Sequence, residues 1–568
     1  MESESMSPLV DTKVFNDPIH GHMEFPGLCV KIIDTPQFQR LRYLKQLGAG
    51  YFVYPDASHN RFEHSLGVCH LAGLLVTELR VRQGLGITDK DILCVSIAGL
   101  CHDLGHGPFS HVFDNKFIPA VKPDSKWKHE DASMDMFDQM IEKNDLDQAF
   151  KGEAGLTDLH REFIKALIMG KPKDSAQEKK LENGGWYKKE EKAFLYEIVA
   201  NKRNGVDVDK WDYFQRDCHH LGMTSSFDLK RFIKFARVIK VKGEYQICYR
   251  DKEAFNMYQL FHTRFTLHRR AYQHKTVQAV ELMLVDAMKA ANVFLKIPGD
   301  NNSEYSISEC IGHMDAYTNL TDEIFHQIML SKEDRPLGAE LTPEERAKEL
   351  ARAKERALAR KRAQETLQDI QQRKLYRCVG EIVIPVLAEE FMPKSEDMIK
   401  ETKKPGQDKL DAERIRIQVL AYAERIRIQE NPEEVIKELI LKETKTDKLD
   451  ERIRIQVSKL DYGNNAKNPV NNVRFFKKND QNKAVEFKAV EVSFLVPQLC
   501  FMEHLVRVFF KTGADDIKSD EKKLIAKLQT VCQEWCAQEL KKRTEDLEES
   551  PPPVPVDLGS NFIKGKNF

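Results

Sequence analysis

Residues 98–111, Ala-Gly-Leu-Cys-His-Asp-Leu-Gly-His-Gly-Pro-Phe-Ser-His, constrain the chain more than any other stretch. They set His102, Asp103, His106 and His111 within ten positions. An apolar lead-in from Ile92 to Leu100 predicts a buried helix that carries this polar cluster into a core. Gly105, Gly107 and Pro108 then end the helix and let backbone come close to whatever the cluster holds. The choice is between hydrogen-bonded core histidines and a metal or catalytic site. Imidazoles beside a carboxylate suit a borderline or hard divalent cation. Three histidines and an aspartate bordered by glycine and proline favour the second reading. A tandem His-Asp supplies two donors at one helix end, so other ligands must come from elsewhere in the chain.

With 568 residues, 41% hydrophobic, the chain can bury a large core with two or more subdomains. A formal net charge of −1 gives no global argument for a polyanionic partner, so only a local basic patch could hold one. The 11 cysteines are scattered without a CxxC pair, and Cys532 and Cys536 stand at a helix-face spacing. A reducing compartment and no disulfide framework are expected. The N-terminus, Met1-Glu-Ser-Glu-Ser, lacks the apolar run of a signal peptide, and no stretch reaches the length of a membrane span, so neither secretion nor a membrane is expected.

Thr35 as N-cap with Pro36 at the first helical position predicts a helix start. Phe38, Leu41 and Leu44 then face the core, leaving Gln39 and Arg42 on another face. Asp34 with Arg42 has the pattern to read a guanine, the carboxylate accepting from ring donors and the guanidinium donating to O6. Arg61 and His64 share one helical face, which makes His64 a candidate third ligand. Lys230-Arg231, Arg250, Lys252, Arg269-Arg270 and His274-Lys275 form a second basic group, whose plain reading is a solvated face.

His64, then His102-Asp103, then Asp209 reproduce the H…HD…D order of the HD-domain metallohydrolases. Asp17-Pro-Ile-His-Gly-His, Ser58-His-Asn-Arg-Phe-Glu-His-Ser-Leu-Gly, the His102–His111 run, Asp209-Lys-Trp-Asp-Tyr-Phe and Leu267-His-Arg-Arg-Ala-Tyr-Gln-His-Lys follow in order. Together these motifs resemble the SAM-and-HD-domain deoxynucleoside triphosphate triphosphohydrolases of animals, closely over 13–330 and more loosely over 371–545.

The resemblance implies a mainly α fold: an HD-domain helical core over 13–330 with a smaller α+β C-terminal regulatory lobe over 372–545. It implies hydrolysis of a dNTP to the deoxynucleoside and triphosphate. His64, His102, Asp103 and Asp209 match the ligands of a zinc, iron or manganese ion, with magnesium on the nucleotide phosphates. His129 with Asp114 matches an acid/base dyad, and His106 and His111 match residues of the same pocket. Arg61, Lys210 and Arg264 match phosphate contacts, and Tyr213 and Asp217 match sugar contacts. Gln46, Leu47 and Tyr272 match positions around the deoxyribose, Tyr272 excluding a 2′-hydroxyl, and Gln273 matches a further substrate contact; the family reads the base loosely, so all four dNTPs are expected substrates.

The resemblance also implies activator sites. Lys13, Val14, Asp34, Gln39 and Arg42 of one subunit would meet Arg231, Arg250, Lys252, Asn256, Arg270, His274 and Lys275 of another, with Arg373 and Lys478 adding positive charge. GTP or dGTP would fill one site and a dNTP its neighbour, driving a homodimer to a homotetramer. The family lowers dNTP pools, in antiviral restriction and in support of DNA replication and repair. Nuclear residence follows from the family, with the cytoplasm as alternative. Residues 1–12 are expected to be disordered and are too short for the SAM domain. The competing readings are an HD phosphohydrolase for another nucleotide and a single-stranded nucleic-acid binder using the basic faces.

Two stretches depart from the family. Residues 331–371 read as a charged, exposed helical linker, opened by Thr342, Pro343 and Glu345. Glu-Arg-Ile-Arg-Ile-Gln occurs at 413–418, 424–429 and 451–456, within a duplicated segment spanning 409–457. Its period of two predicts a strand, and only the last copy is expected in the native sheet. Gly205 is expected to take a positive φ in the turn before Asp209. A helical run is expected from Lys523 to Lys542, and a disordered tail over 546–568, including Pro551-Pro-Pro-Val-Pro-Val.

Overall fold

The computed structural model describes residues 12–184, 189–333, 342–387, 430–445, 451–487, 492, 500–511 and 519–549. One unit holds the described residues up to 376, 385–387 and those from 459 to 503, the other 377–384, those from 430 to 458 and those from 504 onward.

The first unit is built on three helices that cross where the polar cluster sits. Helix Arg61–Gln83 starts at Asn60, whose N–H donates to the Glu63 carboxylate at 2.7 Å, and ends at Gly84 with φ 58°. Helix Asp89–Cys101 is capped by Thr88, whose N–H donates to Asp91 at 2.7 Å, and every residue from Cys94 to Cys101 is buried. This is the helix expected from Ile92–Leu100. Helix Val208–His220 is capped by Asp207, which accepts from the Lys210 N–H at 3.2 Å. Glycines set the closeness of the crossings. A Cβ on Gly99 would stand 3.0 Å from the Val68 carbonyl oxygen, and one on Gly67 would collide with the Asp212 carboxylate. Gly205 takes φ 71° in the turn before Asp209.

The expected cap of the short helix Pro36–Gln39 is present, Thr35 Oγ1 accepting from the Phe38 N–H at 3.3 Å, and Phe38, Leu41 and Leu44 are fully buried. Strands Thr12–Asp17 and Gly21–Pro26 pair antiparallel, so Thr12 already belongs to an element. A four-stranded sheet has the order Asp480–Val485, Phe475–Lys477, Glu244–Arg250, Ala236–Val241, which draws a late segment of the chain into the first unit.

Helix Pro343–Gln371 has the expected Thr342–Glu345 capping box. Its first turns are exposed, but the expectation of an exposed linker throughout needs correction. Ala363, Leu367 and Ile370 are buried, and the helix packs on Lys275–Ala291. Three apolar residues at helical spacing are a stripe narrow enough to be overlooked among so many charges.

In the second unit, residues 377–384, 504–510 and 453–458 form neighbouring strand segments in that order. Their core includes Ile382, Ile436, Ile453, Val508, Phe510 and Leu528. A Cβ on Gly380 would collide with Cys532, so helix Ser519–Glu549 lies hard against this strand. That helix extends beyond the expected Lys523–Lys542 at both ends. The third repeat copy is a strand, Ile453–Asp461, as its period predicted. The copies at 413–418 and 424–429, residues 1–11 and the tail from 550 lie outside the described residues. Ten cysteines are described and all are free. Among the described residues no helix is long and apolar enough to cross a membrane.

A Cβ on Gly105 would collide with the His129 carbonyl and the Ser133 amide, whereas one on Gly86 would meet nothing within 4 Å. Gly105→Ala should therefore destabilise the fold by about 1–3 kcal/mol. Gly86→Ala is the control: calorimetry should show the midpoint of Gly105→Ala several degrees lower.

Candidate active site and metal centre

Three long-range side chains meet at the helix crossing. His64 Nε2 lies 3.1 Å from Asp209 Oδ1, and His102 Nε2 lies 3.5 Å from the same oxygen. One ligand atom from each lies within 4.8 Å of the others. The two imidazole planes stand at 74° with centroids 5.2 Å apart, so in-plane lone pairs can converge. Each ring is locked through its other nitrogen. His64 Nδ1 donates to Asp212 Oδ2 at 2.7 Å, and His102 Nδ1 donates to the Gly99 carbonyl at 2.8 Å. Those contacts put the proton on Nδ1 and leave Nε2 as the ligand atom.

The residues fit a divalent cation by an independent observation. His102 Nε2 is buried and has no hydrogen-bond partner among the described residues, a costly state for a lone pair that accepts nothing. The field points the same way. Burial opposes charge on His64, yet its contacts with Asp209 and Asp212 push its pKa up to about 10. Burial likewise opposes charge on Asp209, while His102 and His64 hold its carboxyl well below the usual range. A site that grips a proton so strongly is built for positive charge. Two imidazoles with carboxylate oxygen are the donor set of a transition or zinc-like divalent metal. Asp103 flanks the trio, with Oδ2 3.6 Å from His64 Nε2. Its Oδ1 is 3.3 Å from His102 Nε2, while Oδ2 accepts from Arg61 at 2.5 Å.

Sequence reasoning missed the network behind His64. Asp212 also contacts His20 Nε2 at 2.6 Å and accepts two bonds from Arg216, at 2.8 and 2.9 Å. Arg216 in turn donates to Asp17 at 2.8 Å. Asp17 and His20 belong to a motif used for the resemblance but given no role, and the three-residue spacing of Asp209 and Asp212 was the available signal.

A second cluster lies alongside. His129 Nδ1 donates to Asp114 Oδ2 at 2.6 Å, and His111 Nδ1 is 3.5 Å from the same oxygen. His106, His111, Asp114 and His129 also satisfy the spacing for a metal ion. The ring geometry argues otherwise: His106 and His129 stack at 3.9 Å and 21°, so their lone pairs run side by side instead of meeting. The cluster is better suited to handling protons. Burial opposes charge on His129, but the bond and charge of Asp114 raise its pKa. His106 is held neutral by burial, Arg61 and His129. Asp103 Oδ1 is 3.4 Å from His106 Nε2 and so joins the two clusters.

All nine residues expected at the substrate line one cavity of about 450 Å³: Gln46, Leu47, Arg61, Lys210, Tyr213, Asp217, Arg264, Tyr272 and Gln273. His64, Asp103, Asp209, His106, His111 and His129 face the same space. Such a volume suits a small-molecule ligand. Tyr272 OH donates to Asp217 Oδ2 at 2.5 Å, and His59 Nε2 donates to Asp217 Oδ1 at 2.7 Å. Arg264 donates to the Tyr213 hydroxyl at 3.3 Å, and Lys210 Nζ donates to Asp207 at 3.0 Å. His268, which also lines the cavity, was not anticipated, and neither was His59 behind Asp217. Burial, with Arg264 and His111 nearby, keeps His268 neutral.

The residues expected at activators lie outside this cavity. Lys13, Val14 and Asp34 are exposed, Gln39 donates to the Ile33 carbonyl at 2.7 Å, and Arg42 donates to Gln39 at 2.7 Å while covering the Phe62 ring. Arg231 and Asn256 both bond Glu253, Arg250 bonds Asp251 at 2.7 Å, and Lys252 lies over Phe235. Arg270 and Lys275 are exposed on either side of His274, which caps helix Lys275–Ala291. Arg373 donates to the Phe52 carbonyl at 2.8 Å, and Lys478 is exposed in a turn.

Asp212→Asn should weaken metal binding by about 10- to 100-fold, because the acceptor that orients His64 is lost. Metal content after dialysis against a competing chelator measures this.

An HD-domain profile matches residues 61–216, the interval that holds His64, His102, Asp103 and Asp209. The deoxynucleoside triphosphate triphosphohydrolase SAMHD1 of Xenopus laevis is 45% identical over 532 residues, covering 92% of this chain and 74% of its own. The protein of that name from Bos taurus is 45% identical, covering 92% and 78%. The one from Homo sapiens is 45% identical, covering 93% and 74%. At that identity and coverage the chain belongs to the family of HD-domain deoxynucleoside triphosphate triphosphohydrolases.

Proposed function

We propose that the chain hydrolyses deoxynucleoside triphosphates to the deoxynucleoside and inorganic triphosphate. The observation that carries this is one cavity faced by His64 and Asp209 of the metal-binding trio, by His129, which Asp114 holds from behind, and by three cationic side chains. His64, His102 and Asp209, with Asp103 beside them, would hold a divalent zinc, iron or manganese ion, and magnesium would travel with the phosphates. When bound, such an ion lowers the pKa of water and polarises phosphoryl oxygen.

The side chains do the rest. Arg61, Lys210 and Arg264 set positive charge against the triphosphate in a partly water-excluded space. Water attacks the α-phosphorus, the bond to the 5′-oxygen breaks, and that oxygen needs a proton. Asp114 fixes the Nδ1 of His129 and favours its charged form, which leaves Nε2–H as the proton donor. Asp217 holds Tyr272 by its hydroxyl, so the ring has a defined place against the sugar and rejects a 2′-hydroxyl by sterics. All four dNTPs would be substrates, by family resemblance.

Regulation is part of the proposal. A guanine nucleotide would use Asp34, Gln39 and Arg42, and phosphates shared with the second basic group of another subunit would tie a homotetramer together. Exposed Asp34 and the Gln39–Arg42 bond support this reading. The chain would then lower dNTP pools, in the nucleus by family resemblance.

His102→Ala or Asp209→Ala should abolish turnover with loss of bound metal. His129→Ala should keep the metal and lower kcat by about 10²- to 10⁴-fold. Chromatography should find triphosphate released from dNTPs; orthophosphate or a monophosphate instead would point to another HD phosphohydrolase. Asp34→Ala should retain metal but lose GTP-dependent activation and tetramer assembly, read by activity and light scattering in parallel.

A further inference from the structure

Phe109 and Ser110 are consecutive non-glycine residues, each with φ 57°. Left-handed backbone is sterically unfavourable for L side chains, and two such residues in a row persist only where the surroundings over-determine them. The pair lies between His106 and His111, and both its members line the cavity. What holds it comes from far away in sequence. Asp322, in the turn after helix Met314–Thr318, accepts from the Phe109 N–H through Oδ1 at 2.6 Å. Its Oδ2 accepts from the Lys45 N–H at 2.8 Å, and its own N–H donates to the Tyr43 carbonyl at 3.1 Å.

One carboxylate thus ties two stretches of wall, one carrying Gln46 and Leu47, the other carrying Ser110 and His111. The Ser110 hydroxyl extends the tie, donating to the Lys45 carbonyl at 2.7 Å and accepting from Arg61 Nε at 2.8 Å. The other end of that guanidinium reaches Asp103 at 2.5 Å. The fit is close: a Cβ on Gly48 would collide with the Phe109 carbonyl. Burial pushes the Asp322 carboxyl up to about 6, against the pull of the Phe109 and Lys45 backbone donors and of the Lys45 and Arg40 charges.

We infer that Asp322 is a positioning residue of this active site, locking the strained 107–111 loop onto the 43–48 segment and so presenting Arg61 and His111 to the phosphates. It lies outside the matched HD interval and does not line the cavity. The inference rests on the hydrolase reading of that cavity.

The test is Asp322→Asn in the full chain loaded with metal and activator. The amide keeps the size but faces one backbone N–H with another donor. Metal content should be unchanged, KM for dNTP should rise by about tenfold or more, and kcat should fall less. Amides of 43–48 and 107–111 should exchange about tenfold faster, read by mass spectrometry. Unchanged KM per folded, metal-loaded molecule, even with a lower Tm, would overturn the inference. Ser110→Ala breaks the tie at its other end with the loss of one oxygen, and serves if Asp322→Asn does not fold; an unchanged KM there has the same consequence. Failure of the wild type to release triphosphate would defeat the hydrolase reading instead, and the exchange rates would still decide the tie.

Discussion

The structure turns on how two imidazole rings are held from behind. Asp212 takes the Nδ1 proton of His64, and the Gly99 carbonyl takes that of His102, so both Nε2 atoms are committed to the same small space as Asp209. This works only because three helices cross closely, and Gly67 and Gly99 are where they do so. Gly67 makes room for the carboxylate of Asp212, and Gly99 makes room for the backbone of Val68. Packing and chemistry are therefore one constraint here: a methyl group at either position would move a ligand or its support.

Charge is distributed to match. The carboxylates of Asp212 and Asp103 are buried, and that of Asp209 is half-buried, beside histidines and arginines that favour their ionised forms against desolvation. Arg216 and Arg61 contribute to this by direct bonds, Arg216 donating to Asp212 and Arg61 to Asp103. Beside it, Asp114 favours the charged form of His129 while burial and neighbouring cations keep His106 neutral. Two stacked imidazoles pushed toward opposite protonation states suit proton transfer more than ligation.

Much of this was readable in the sequence, and the reason is order along the chain. His64 and His102-Asp103 stand at a first turn and an end of helices with local signals, whereas Asp209 was legible only through the H…HD…D order of the family. The Thr35-Pro36 start, the turn at Gly205 and the third repeat copy are equally local and appear as expected. What escaped is non-local. Asp212, His59 and Asp322 matter through partners 148, 158 and 213 residues distant, and no spacing rule announces them. The packing of helix Pro343–Gln371, though not the helix itself, escaped for another reason: its packed stripe is thin, and the charges around it dominate any average.

The central claim is convergence on one cation. Anomalous diffraction from crystals of the full chain grown with manganese tests it most directly. The account predicts one strong peak about 2.0–2.3 Å from His64 Nε2, His102 Nε2 and a carboxylate oxygen of Asp209. No peak there, or one confined to the His106–His111–Asp114–His129 cluster, would contradict it.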